Sequence, residues 1–244
     1  MTEKSAHSRR GGARGVVAAF SGILAAGALA VGIPLDASAS AHSSETAAQL
    51  FHAALTSSAA ARSFLVKGTV DIPKENFAVD LTVGAARMAE GSLTINGGTV
   101  QIVEIGNTSY FKADTTFWTQ NAGATAAQLL AGKWVYGPTS SSPFSGFKGF
   151  LSPRGFIKLF FNSDQGPFTK SAATTVDGTH VIPVMANGPG TLYVAAASPH
   201  VIISAQGSKG SSRASLSFSQ YGRAVHPSAP AGGISLKALE AAGS

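Results

Sequence analysis

The spacing of apolar and polar positions changes period twice along the chain. After Ser44-Glu45, the run TAAQLFHAALTSSAAAR places Leu50, Phe51, Ala54 and Leu55 on one stripe, which predicts a helix with His52 at its surface or boundary. The period then drops to two. Phe64, Val66, Val70 and Ile72 alternate with Ser63, Lys67 and Asp71, with a slip near Gly68. Phe77, Val79, Leu81 and Val83 alternate with Ala78, Asp80 and Thr82 after a turn at 73–76, the clearest strand in the sequence. Arg87–Ile95 and Thr99–Ile105 flank Asn96-Gly97-Gly98, a hairpin signal, and Gly106-Asn107 marks another tight turn before Thr108–Lys112. Five strands joined by short turns predict an antiparallel meander with one apolar face.

The middle third is different. Phe117-Trp118 and Ala122–Leu130 predict a short helix ending at Gly132, followed by a strand over Lys133–Tyr136. Seven of the fourteen phenylalanines then fall at 144, 147, 150, 156, 160, 161 and 168. Ser152-Pro153 has the form of an N-cap with proline in the first turn, which predicts a helix over Pro153–Phe161, apolar on nearly all sides. Such a helix needs neighbours on most sides. Strand patterns return over Thr169–Val176, His180–Met185, Thr191–Ala196, His200–Ala205 and Arg213–Tyr221, and a short segment over Ile234–Ala241 ends the chain. The pattern predicts about ten strands with two or three inserted helices.

The first residues address the chain. Lys4, Arg9, Arg10 and Arg14 precede the uncharged stretch Gly15–Leu35, and small residues follow at Ala37, Ala39 and Ala41. This order is that of a secretory signal, with cleavage expected after Ala39 or Ala41. The alternative is an uncleaved membrane anchor, since the stretch is long enough to span a bilayer. Both place the rest outside the cytoplasm, secreted or envelope-associated. The expected organisation is a signal at 1–39 and one domain at 40–244.

Composition narrows the chemistry. The absence of cysteine excludes disulfides, thiolate metal sites and thiol nucleophiles. Residues 40–244 carry 14 basic and 10 acidic side chains, a net +4. The lysines and arginines are well separated, so no nucleic-acid groove is expected; they read as a solvated surface, with weak attraction to an anionic membrane surface as the alternative. The chain lacks G-x-S-x-G, phosphate-loop and dinucleotide patterns, and its histidines and acids stand singly. Ser-x-x-Lys occurs at Ser109–Lys112 and Ser145–Lys148 without the partner motifs of penicillin-recognising enzymes. The expectation is a protein that is not an enzyme, with no metal and no cofactor. Glu104, inside the run Val100–Ile105, fits the wet face of its strand, and Asn107 fits turn chemistry rather than glycosylation.

Ile105-Gly106-Asn107-Thr108-Ser109-Tyr110, Gln128-Leu129-Leu130-Ala131-Gly132-Lys133-Trp134 and Gly190-Thr191-Leu192-Tyr193-Val194 resemble stretches of the actinobacterial LppX/LprG-type lipoproteins, whose fold is LolA-like. The resemblance covers about residues 45–240. It implies an α+β, mainly antiparallel fold: a curved half-barrel sheet with helices across its concave face, and acyl chains of lipids or lipidated molecules held between them. The chain departs from that family in lacking the cysteine to which the lipid anchor is attached.

The expected function is therefore to hold a lipid acyl chain, or a similar hydrophobic ligand, between sheet and helices. Phe64, Val66, Phe77, Val79 and Leu81 would line the space from the strands, and Phe147, Phe150, Phe156 and Phe160 would cover it. The expected partner is a lipid or lipidated molecule, with membrane-surface contact, no nucleic acid and a monomeric state. The rival reading is a structural, interaction or sensory module of the envelope whose phenylalanines complete a filled core.

Overall fold

A computed structural model describes residues 44–161, 166–186 and 188–242; the signal or anchor segment lies outside the described residues. The first helix, α1 (Ala47–Ala60), starts slightly later than its pattern suggests because Thr46 makes the better cap. Its hydroxyl accepts from the Gln49 amide at 3.2 Å, and the Gln49 side chain accepts from the Thr46 amide at 2.7 Å. His52 is exposed.

The meander follows as β1 (Ser63–Ile72), β2 (Glu75–Gly84), β3 (Met88–Ile95), β4 (Gly98–Ile105) and β5 (Thr108–Ala113). Register is continuous through Gly68, which pairs with Val79 on one side and Leu216 on the other. The slip in the pattern is thus a missing side chain, not a shifted strand. Gly68 (φ +150°) and Gly91 (φ +146°) both sit where a Cβ would collide with a neighbouring strand's carbonyl, that of Ser215 and that of Asp80. Glycine there lets a curved sheet keep its ladders closed.

The predicted helix before Trp134 is two helices, α2 (Thr115–Ala122) and α3 (Ala124–Leu130), parted at Gly123. Asp114 caps α2: one oxygen accepts from the Phe117 amide at 2.7 Å, the other from the Thr99 amide at 2.9 Å. After β6 (Trp134–Pro138) come a one-turn helix α4 (Ser142–Ser145) and α5 (Pro153–Phe160), which Ser152 caps as its sequence predicts. On α5, Phe156, Ile157 and Phe160 are buried while Arg154 and Lys158 are exposed. This helix is two-faced, not apolar all round.

The remaining strands are β7 (Thr169–Lys170), β8 (Thr174–Val176), β9 (Thr179–Met185), β10 (Gly190–Ala195), β11 (Ile202–Lys209), β12 (Ser212–Ser219) and β13 (Ile234–Ser235), before a final helix α6 (Leu236–Ala242). The 13 strands form one curved, open sheet in the order β13-β6-β5-β4-β3-β2-β1-β12-β11-β10-β9-β7, with β8 beside β9. Among the described pairs all are antiparallel except β13–β6. The count exceeds ten because three strands are only two or three residues long. β1 closes the sequence-distant halves by pairing β2 and β12 at once. Residues 44–242 contain the whole described sheet and one continuous apolar core, which is what an independently folding domain requires.

Candidate functional site

One face of the sheet is covered by α1 and the Phe-rich segment, and it holds the side chains that the alternation singled out. Phe64 and Val66 on β1, and Phe77, Val79 and Leu81 on β2, are all buried on that face. Val66 lies opposite Leu81, and Phe77 opposite Val70. From the cover, Phe147, Phe150, Phe156 and Phe160 are buried as well.

The two sets meet ring to ring. Phe77 lies 5.5 Å from Phe150 and 5.7 Å from Phe160 between ring centroids, and Phe64 lies 5.9 Å from Phe156. Within the cover, Phe156 and Phe160 are 4.6 Å apart, and Phe150 is 5.9 Å from Phe160. Such separations are those of favourable aromatic packing. Phe147 stands apart from this group. Its ring faces Phe111 at 4.7 Å and Phe117 at 6.2 Å, at the α2 side of the cover.

The backbone of α5 runs chiefly beside α1, and α5 reaches the strands mainly through its rings. The helix layer is therefore held to the sheet by long, wholly apolar side chains.

Two aromatic residues of this cluster are not among those the sequence pattern singles out. Phe218 on β12 touches Phe64 at 5.4 Å and Phe156 at 6.0 Å. Phe111 touches both Phe144 and Phe147. The parity Ala214, Leu216, Phe218 marks the buried face of β12, so the signal for Phe218 was present; its neighbour β1 is too distant in sequence for that signal to identify the contact.

A polar cluster lies on the same face. Glu104 shares the parity of Val100 and Ile102, so it belongs to the buried face of β4, not the wet one, and only 3% of it is exposed. Ser109 on β5 and Thr139 just after β6 are buried beside it. The Thr139 hydroxyl donates to the Glu104 carboxylate, and Ser109 Oγ lies 2.9 Å from Thr139 Oγ1. Burial raises the Glu104 pKa; Thr139, Arg87 and Lys148 oppose that rise. Arg87 Nη1 donates to Asn107 Oδ1 at 2.6 Å, so Asn107 joins two turns. Among the described residues no three acids or histidines gather as metal ligands.

A surface pocket lies elsewhere. It is a shallow groove of about 410 Å³ over β10–β12, lined mainly by Thr191, Tyr193, Gln206, Ser208 and Ser215. None of the nine residues expected to line a ligand faces it.

The chain is similar in fold to LprF from Mycobacterium bovis, with a TM-score of 0.53 and 16% identity over 76% of this chain and 97% of that one. The lipoprotein LppX from Mycobacterium tuberculosis aligns at a TM-score of 0.48 and 16% identity, over 74% and 97%. No family model and no curated protein matches the sequence. The curved antiparallel sheet with helices across it, expected from the resemblance, is the fold the chain has.

Proposed function

We propose that the chain is an exported binding protein, not an enzyme, that takes an acyl chain or similar apolar group between its sheet and its Phe-rich cover. One observation carries this reading: α5 and the segment before it meet the strands through the rings of Phe150, Phe156 and Phe160. Rings joined edge and face can rotate apart without breaking a hydrogen bond. The space so opened would be walled by Phe64, Val66, Phe77, Val79 and Leu81, none with a polar group to satisfy. Burying methylenes there is favourable by about 0.8 kcal/mol each, so a chain of fourteen gains about 11 kcal/mol before association costs of about 4–15 kcal/mol. The fold shared with LprF agrees with this reading. The ligand is a lipid or lipidated molecule, and the protein acts as a monomer outside the cytoplasm.

The ring contacts also support a second reading. In the conformation described, the expected lining residues touch their expected cover, as they would in a filled-core envelope module. Native purification, solvent extraction and mass spectrometry separate the two. Co-purifying lipid, with saturable binding of a fluorescent fatty acid to the extracted protein, is the expected result. Absence of both leaves the filled core.

A further inference from the structure

Between Asp114 and Asp164 the sequence contains no acid and four cations: Lys133, Lys148, Arg154 and Lys158. In sequence these cations look scattered, but the fold gives them a common carrier. The segment they occupy forms α2 to α5 and the sheet strand β6, and Phe117–Phe147 and Phe150–Phe156 contacts link α2, the stretch after α4 and α5 into one cover, with Lys133 at the start of β6 beside it. All four cations are exposed. Arg154 and Lys158 are one helical turn apart on the outer line of α5, opposite its buried phenylalanines. Leu129 on α3, 60% exposed, is the exposed large apolar side chain among the described residues. The outward face of the sheet is mixed. Asp71, Asp80 and Glu90 alternate with buried residues and so point away from the cover, as do Lys67, Lys112 and Arg213, with Asp80 paired to Lys67 at 2.9 Å.

We propose that the outer surface of this cover docks on an anionic lipid bilayer. Lys133, Lys148, Arg154 and Lys158 lie over the headgroups, and Leu129 enters the interfacial layer. The contrast in charge orients the molecule: the segment that carries cations without acids faces the lipid, and the mixed-charge face of the sheet faces away. This deepens the binding role proposed above by naming the surface from which an apolar ligand would enter. Docking itself is measurable with no ligand bound.

The test uses residues 44–244, which omit the apolar N-terminal stretch that would itself partition into lipid. The protein is sedimented with vesicles of phosphatidylglycerol and phosphatidylcholine in equal parts, and with phosphatidylcholine alone. Expected is binding to the first only, lost near 1 M salt, where the Debye length is about 3 Å. Each cation near an anionic surface contributes about fivefold in partitioning. Arg154→Glu with Lys158→Glu should therefore weaken binding by at least about 25-fold, and Leu129→Ser should weaken it without changing charge. Lys112→Glu with Arg213→Glu alters net charge equally on the outward face of the sheet, where both alternate with buried residues, and should have much the smaller effect. Thermal melts check that each variant remains folded. Equal loss in both double variants, no effect of Leu129→Ser, or no binding to anionic vesicles overturns the proposal. So does capture by heparin as tight as capture by vesicles, which would make the face a general polyanion site. Failure here leaves lipid extraction unaffected, and a protein without bound lipid can still dock, so the two readings fail separately.

Discussion

Ser109 Oγ sits 2.9 Å from Thr139 Oγ1, which in turn donates to the buried carboxylate of Glu104. With Thr139 committed to the carboxylate, the Ser109 hydroxyl is left to donate to Thr139. Three strand ends are tied together by this relay, where the Phe-rich cover begins. Replacing Thr139 by valine keeps the shape but strips the carboxylate of its donor. A loss of about 1–3 kcal/mol in urea denaturation is expected, the cost of a buried acceptor left unpaired.

Glu104 also makes a pH prediction. Its folded pKa is raised from 4.5, chiefly by burial, so the folded state holds a proton that the unfolded state has already lost. Stability from this group is present below 4.5 and falls as pH rises from there through the folded pKa. Glu104→Gln should flatten that part of the stability–pH curve, measured by denaturant melts at several pH values. A wild-type contribution that grows with pH over the same window would contradict the assignment.

Tyr221 closes a second network. Its hydroxyl donates to the Ile202 carbonyl at 2.6 Å, while the Ile202 amide donates to Ser58 Oγ at 3.0 Å and Ser58 lies 3.3 Å from the tyrosine oxygen. Burial raises the pKa of the phenol, so it stays neutral across ordinary pH. This loop joins the end of α1 to β11 and the residue beyond β12. Tyr221→Phe should cost about 1–2 kcal/mol in stability, with no change in far-ultraviolet circular dichroism.

Gly68→Ala should be far more damaging than a surface strand substitution. The added methyl meets the Ser215 carbonyl of the adjacent strand, and the backbone at φ +150° disfavours any side chain. A drop in thermal midpoint of more than about 10 °C, or insoluble expression, is expected. A variant as stable as the parent would mean that the sheet can flatten at this point.

Phe160→Ala removes a ring shared by sheet and cover. Both functional readings predict a loss of about 3–5 kcal/mol. They divide on ligand: a binding protein should change its affinity for a fluorescent fatty acid, whereas a filled core should bind none in either form.

Local pattern accounts for much of this molecule. Alternation located β1 to β5, the Asn96-Gly97 turn and the parity of the buried face, because neighbouring strands in a meander are also neighbours in sequence. Ser152-Pro153 located α5, because a cap is made within one turn of chain. The break at Gly123 is not marked in the pattern, since the alanine-rich run Ala124–Leu130 favours helix and a single glycine inside a helical pattern does not by itself end it. Glu104 was assigned to the wrong face because its chemistry outweighed its parity, and its relief comes from Thr139, 35 positions later.

By itself, then, the sequence determined the meander, the capped helices and the set of phenylalanines that must leave water, since backbone periodicity and side-chain hydrophobicity act over a few residues. Only the tertiary structure decided which rings meet, that β1 joins β12, that a carboxylate lies inside, and that Arg154 and Lys158 stand outside the helix whose other side is buried. Those outcomes depend on contacts between segments far apart in the chain, and it is sheet closure over distant strands that brings them together.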